Sequence, residues 1–411
     1  MFSSLVLTVS LFISSNTTGM TNGADLIHEV RQLSFSAPQM SFRHFLENYQ
    51  PKNEELVSWL KIQLASRDLV AKSLSSSCDY RIASHINFIA KLAIEREALL
   101  GKSSGDLEYI DSFHSLENGS NLYQHWLRSW LLSDISLEQL NQIAIQELIK
   151  TAKRRRQIVE RKTTELGDTR ILGKKHQKIV DRFRQKEARV IDNLDKYFPK
   201  LTPLDKVEIV PSTLPKSFPA PGIYDAVNQR FIYHLQDEYF YTHTMDWLYL
   251  HEGNPGHHYQ SQFVKQQAQC ADLPDRLHTS AFSEGWAAYV ETLGKSLGLY
   301  TDINSELYAL DWQALRAVRV ILDIGIHAYG WDNKKATSVW MQHIPNQKGI
   351  MDREINRIRD WPGQVITYVY GKSAIEKYIE QSMTSGDLTL LDVHREILAL
   401  SSYSVSLLKR N

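Results

Sequence analysis

Apolar positions recur at three- and four-residue spacing along most of the chain, the period with which one helix face meets a core. Glu54 to Leu64 and Arg81 to Leu100 read as helices on this pattern. A further helix is predicted from Ser136-Leu137-Glu138-Gln139: Ser136 is placed to cap the first turn and Gln139, three residues on, to return the bond. Leu137, Leu140, Ile143, Ala144 and Leu148 continue its apolar face. The rhythm breaks from Thr202 to Gly222, where five prolines mark an extended connector. Tyr224 to Leu235, centred on Arg230-Phe231-Ile232-Tyr233, is the best strand candidate. After Asp237 the helical period returns and holds to the end. The pattern predicts a mainly α protein with a small β element before its C-terminal helices. Residues 1–24 read as a leader or disordered segment, 25–200 as a helical region and 201–411 as a second region, the two forming one continuous helical body.

Composition narrows the functional classes. The 411 residues are 43% hydrophobic, ample for a large core. Lys+Arg and Asp+Glu both count 47, so no global field points to nucleic acid or to an acidic partner. Lys150 to Arg189 is locally basic, with 15 Lys/Arg against 5 Asp/Glu. Its acidic residues are interleaved and no aromatic residues alternate with the charges, so it reads as the solvated face of long helices. Cys78 and Cys270 make neither a disulfide framework nor a zinc ribbon. They read as two buried free thiols, with a single bridge as the alternative. Leu5 to Ile13 resembles the apolar part of a signal peptide, but no Lys or Arg precedes Arg31. Localisation therefore stays open between cytoplasm and export. No other stretch is long and apolar enough to span a bilayer, so stable membrane insertion is not expected.

The chemistry starts at His251-Glu252-Gly253-Asn254-Pro255-Gly256-His257-His258. In the common zinc-peptidase motif H-E-x-x-H, two His four apart on one helix face reach one metal, and the Glu between them serves as general base. Here the fourth position after His251 is Pro255, which cannot ligate. On a regular helix His257 and His258 would lie roughly 9–10 Å further along the axis, too far for a zinc whose bonds to His nitrogen are about 2.0–2.1 Å. Pro255-Gly256 interrupts regular helix, and a kink or wide turn there would bring a later His back beside His251. Spacing favours neither decisively: His257 is the first choice and His258 its rival.

A third ligand comes from Ser283-Glu284-Gly285-Trp286-Ala287-Ala288-Tyr289-Val290-Glu291. Catalytic zinc sites usually hold three protein ligands and one open position. Glu284 follows His251 by 33 residues, enough for a helix to end, a loop to turn and a second helix to pack alongside. Ser283 is placed to cap that helix, and Glu291, about two turns on, to accept a hydrogen bond from a ligand His. The apolar neighbours make this a buried helix, where a carboxylate is costly unless paired or metal-bound. Further on, Arg319, Asp323 and His327 recur every four residues on an apolar helix. They read either as an ion-pair ladder or as an oxyanion donor, His327, oriented by Asp323. Trp361-Pro362-Gly363-Gln364 and Tyr368 add a second candidate donor, the Tyr368 hydroxyl, with core packing as its alternative.

Taken in order, His-Glu-x-x-Pro-Gly-His-His, Ser-Glu-Gly-Trp-Ala-x-Tyr-x-Glu, Arg-Val-x-x-Asp-x-Gly-Ile-His and Pro-Gly-Gln-x-x-x-Tyr-x-x-Gly resemble domain of unknown function family 885. The resemblance rests on His251, Glu252, Pro255, Gly256, His257, His258, Glu284, Gly285, Trp286, Tyr289, Glu291, Arg319, Asp323, Gly325, His327, Pro362, Gly363, Gln364, Tyr368 and Gly371. It implies a mainly helical zincin-like fold of the gluzincin type, in which two His and a downstream Glu bind one zinc ion. It also implies a metallopeptidase, and many members are exported or lipoproteins. The expected hydrolase holds Zn2+ with His251, His257 or His258, and Glu284. A water activated by the metal attacks an amide carbonyl with Glu252 as base. Tyr289, Arg319, Gln364 and Tyr233 are expected around the substrate. The strand at Arg230 to Tyr233 is expected to bind an extended peptide by edge pairing. Two alternatives stand beside this reading. One is hydrolysis of a small-molecule amide or biosynthetic intermediate in a closed, narrow cleft. The other is a non-catalytic helical binding protein held by a closed four-ligand metal site.

Overall fold

The computed structural model describes residues 19–35, 44–45, 52–100, 112–160 and 170–409, apart from positions 217, 219, 236, 268, 269, 271, 272, 275, 276, 279, 385 and 402. The apolar segment Leu5 to Ile13 lies outside the described residues. The first helices among the described residues are α1 (Gly23–Val30), α2 (Leu56–Lys72), α3 (Cys78–Leu100), α4 (Gly119–Leu131) and α5 (Leu137–Val159). α2 and α3 pack together as a helical hairpin, α2 burying Trp59, Ile62, Ala65 and Leu69 and α3 burying Ile82, Ile86, Ile89 and Ala93. Ser136 caps α5 as its sequence predicts: its hydroxyl accepts from the Gln139 amide at 3.1 Å, and the Gln139 side chain accepts from the Ser136 amide at 3.0 Å.

Among the described residues, five short strands interrupt the helices: β1 (Arg170–Leu172), β2 (Glu208–Pro211), β3 (Gly222–Asp225), β4 (Arg230–Tyr233) and β5 (Tyr239–Tyr241), with α6 (His176–Leu194) between the first two. The single strand expected from Tyr224 to Leu235 is instead a hairpin of β3 and β4. The turn between them is set by Asp225, whose carboxylate accepts from the amides of Val227 and Asn228, both at 3.1 Å. β4 pairs with β2 on one side (parallel) and β3 on the other (antiparallel), giving the order β2-β4-β3. The expected edge pairing at Arg230 to Tyr233 is therefore corrected: both edges of β4 are occupied, and β3 is an outer strand. β1 and β5 form a second, antiparallel pair. Neither was expected, since the pattern around both reads as helix.

The rest is helical: α7 (Met245–Glu252), α8 (His257–Gln267), α9 (Ser280–Val290), α10 (Ile303–Tyr329), α11 (Asn333–His343), α12 (Met351–Asp360), α13 (Ile366–Thr384) and α14 (Leu390–Leu398). α10 is buried without interruption from Leu315 to Leu322 save Ile321, and again from Leu322 to His327, the signature of a helix that runs through a core. It packs against α4, α5, α7, α11, α12 and α13. One buried apolar cluster runs from Leu26 to Leu408, so residue 200 marks no break in packing. Among the described residues, no helix is long and apolar enough to cross a membrane.

Cys78 and Cys270 form a disulfide that joins the start of α3 to the chain after α8. This corrects the expectation of free thiols. A sequence separation of 192 conceals a Cα–Cα distance of 5.3 Å, which is within bridging range.

Candidate metal centre

Every residue of α7 is buried, and the helix ends at Gly253. The next four residues, with a cis bond at Asn254–Pro255, turn the chain back against the helix end. Gly256 passes so close that a Cβ there would lie 2.0 Å from the His251 carbonyl oxygen and 2.3 Å from that of Leu250. Only glycine fits. The Pro255 carbonyl accepts from Trp286 Nε1 at 2.9 Å, which ties the turn to α9. α8 therefore starts at His257 with its ring beside that of His251, centroids 4.8 Å apart.

α9 brings Glu284 to the same place. It begins at Ser280, so Ser283 sits inside the helix rather than capping it, its hydroxyl 3.3 Å from the Ser280 carbonyl. Gly285 lies against Gly371 of α13: a Cβ on Gly371 would fall 1.9 Å from the Ala281 carbonyl oxygen. This close crossing sets Tyr368, one turn earlier on α13, over the site. The ligand atoms of His251, His257 and Glu284 all lie within 4.8 Å of one another. Glu284 Oε2 is 3.4 Å from His251 Nε2 and 3.6 Å from His257 Nε2. These contacts are longer than the roughly 2.7–2.9 Å of a charge-assisted hydrogen bond. They match the roughly 3.3 Å that separates atoms bound tetrahedrally at about 2.0–2.1 Å from one ion. Glu284 Oε2 is also buried with no hydrogen-bond donor aimed at it. Two His and a carboxylate so arranged fit a divalent cation.

The surrounding charges support that fit. Burial alone would depress His251, but Glu284, Glu291 and Glu252 hold its pKa up to about 9. Burial would raise Glu284 and Glu291, yet the neighbouring His residues, with Arg316 beside Glu291, hold both below the ordinary value. Glu252 is pushed up, chiefly by burial, with the carboxylates of Glu284 and Glu291 adding to it against the two His. Glu291 does what its spacing from Glu284 predicts: its Oε1 is 2.7 Å from His251 Nδ1, and its Oε2 accepts from Arg316 Nη1 at 2.6 Å. That leaves Nε2 of His251 to face Glu284.

The site opens into a cleft of about 880 Å³. Gly222 and Tyr224 of β3 form one wall, and a Cβ on Gly222 would sit 3.3 Å from Glu252 Oε1. Trp247 and Trp312, stacked with centroids 4.4 Å apart, form another. Arg316, Arg319, Arg357, Gln364 and Tyr368 complete it. The Tyr368 ring stacks on that of His251 at 6.3 Å, and the Arg316 guanidinium lies 5.0 Å from its centroid. Burial is the main cause that raises the Tyr368 pKa.

Other residues expected here are elsewhere. His258 is turned away: Nδ1 meets the Tyr224 hydroxyl at 3.1 Å and Nε2 donates to the Asp205 carbonyl at 2.7 Å. His327 is fully buried; Nδ1 accepts from the Phe113 amide at 3.4 Å and Nε2 donates to the Ile358 carbonyl at 3.0 Å. It has no proton to offer an oxyanion and does not line the cleft. Asp323 does not orient His327 either; it accepts from the Tyr123 hydroxyl at 2.6 Å and the Gly363 amide at 2.8 Å. Arg319 pairs with Glu354 of α12, so the expected ladder along α10 is not formed. Tyr289 meets His394 Nε2 at 2.9 Å, and Tyr233 meets His176 Nδ1 at 2.8 Å, both away from the cleft. Arg316, Arg357, Trp247, Trp312 and Tyr224 escaped the sequence reading. Arg316 had a signal: it stands three residues before Arg319, on the same helix face.

Similarity to known proteins adds the fold but no activity. A crystallised "putative lipoprotein" of Colwellia psychrerythraea is 21% identical with a TM-score of 0.61, the match covering 89% of this chain and 64% of that one. The chain thus spans less than two thirds of that protein. A "putative lipoprotein of unknown function" of Shewanella oneidensis is 18% identical with a TM-score of 0.57, covering 91% of this chain and 82% of that one. No curated protein matches the chain. The family model described as "Bacterial protein of unknown function (DUF885)" matches residues 25–411, and the chain belongs to that family.

Proposed function

We propose that this protein is a zinc-dependent hydrolase that cleaves peptide bonds, with a zincin-like arrangement of α7, α8, α9 and the outer strand β3. The observation that carries the reading is the convergence of His251, His257 and Glu284 at the floor of a cleft, with Glu252 adjacent. The ion would be held by those three residues. When bound, zinc supplies a Lewis acid and makes water more acidic.

The chain's own groups then have distinct tasks. Glu291 holds Nδ1 of His251 and so fixes which ring nitrogen faces the metal position. Glu252, its pKa raised mainly by burial, takes the proton of the attacking water and passes it to the leaving amine nitrogen. The Tyr368 hydroxyl, raised chiefly by burial and so kept protonated, is the oxyanion donor. The outer edge of β3 is suited to align an extended peptide across the cleft. Two features favour this over a closed structural site: His258 has other partners, and among the described residues three ligands converge. The test is hydrolysis of a peptide library by zinc-loaded protein. Cleavage by the wild type and none by Glu252→Gln at equal zinc content is expected. Equal activity of the two proteins would refute the assignment of the base.

A further inference from the structure

The wall opposite β3 carries more positive charge than its carboxylates balance. Arg316 is matched by buried Glu291, and Arg319 by buried Glu354. Glu354 is shared, because Arg353 also approaches its Oε1 at 3.5 Å. Arg357 forms no ion pair among the described residues. Its Nη2 donates to the neutral Gln364 Oε1 at 2.8 Å, and the Tyr368 hydroxyl lies close enough to favour its charge. Glu354 and Glu284 favour its charge from nearby, but among the described residues no carboxylate is in direct contact with this half-buried guanidinium on the face of the cleft.

The position of this cation relative to the metal site is informative. Tyr368 lies between them: its ring stacks on His251, and it lines the cleft beside Arg357, whose charge it favours. One tyrosine side chain thus separates the metal position from the guanidinium, roughly the reach of one to two extended residues at about 3.3–3.6 Å each. Resting on the hydrolase reading above, we propose that Arg357 binds a substrate carboxylate one residue beyond the bond that is cleaved. The chemical class is a peptide ending in a free carboxylate, so cleavage removes the C-terminal residue. The planar fork of arginine suits a carboxylate in two-point contact. Gln364 holds the fork in place and acts as a positioning residue toward it.

The test is binding, so it does not depend on turnover. Zinc-loaded Glu252→Gln protein is titrated calorimetrically with N-acetyl-Gly-Phe, with its C-terminal amide, and with N-acetyl-Gly-Glu amide. The free acid should bind about 10- to 100-fold more tightly than Gly-Phe amide, the range for hydrogen bonds to a charged group. Arg357→Met, in the same background, should abolish that difference, whereas a carboxylate bound only by zinc would keep it. Tight binding of the Gly-Glu amide instead would assign Arg357 to an acidic side chain and overturn C-terminal recognition. Equal binding of acid and amide, or a preference that survives Arg357→Met, would overturn the proposal. The acid–amide comparison stands even if Arg357→Met does not fold. Acid preference lost with Arg357, but no cleavage by the wild type, would overturn the hydrolase reading alone.

Discussion

At the scale of residues, two adjacent histidines have opposite fates. His257 faces Glu284 and His251, whereas His258 is held by Tyr224 and the Asp205 carbonyl. His257→Ala should weaken zinc binding by more than about 100-fold, since loss of a mere outer partner costs roughly 10- to 100-fold. His258→Ala should lower thermal stability and leave zinc stoichiometry intact; competition with a chromophoric chelator measures both. Glu252→Gln should bind zinc normally and lose about 100- to 10,000-fold in turnover, the share typical of a general base. The sequence pointed to His251, Glu252, Glu284 and Glu291 because each follows from a type and a spacing. It could not choose between His257 and His258, since the choice is made by the backbone of residues 253 to 256. His327 misled because a histidine in an apolar helix looks the same whether it faces a cleft or two backbone partners.

At the scale of elements, the site depends on how closely α9 and α13 cross. Gly285 and Gly371 meet there, and Gly371 leaves no space for a Cβ against the Ala281 carbonyl. Gly371→Ala should force the helices apart, destabilise the protein by about 1–3 kcal/mol or more, and weaken zinc binding through the displaced Glu284. Thermal unfolding with and without zinc checks this; an unchanged zinc affinity would show that the crossing does not position the ligand. The helices were legible from their period, and the α5 cap from its residues. The strands were less so. The β3–β4 turn, Ala226 to Gln229, contains neither Gly nor Pro, so two strands looked like one. β1 and β5, three residues each, are too short to display an alternation.

At the scale of the whole molecule, one core and one disulfide join the N-terminal helices to the metal-binding half. Reducing Cys78–Cys270 should cost roughly 2–5 kcal/mol, seen as a lower melting temperature in reductant. Three buried histidines add a pH limit. His85, His327 and His394 each accept at one ring nitrogen and donate at the other to a backbone carbonyl. A second ring proton has nowhere to go, and burial depresses each pKa from 6.5 to about 4. Between those values the unfolded chain binds protons that the folded chain does not. Stability is therefore full above pH 6.5 and falls as pH drops toward 4. Each histidine contributes at most about 3 kcal/mol. A melting temperature unchanged from pH 7 to pH 4.5 would contradict this. The central claim, that His251, His257 and Glu284 form one metal site, is tested most directly by elemental analysis of purified protein beside Glu284→Ala. The account predicts about one zinc per chain in the wild type after zinc loading and dialysis, and loss of that zinc in the variant. No zinc in the wild type, or equal zinc in both proteins, would contradict it.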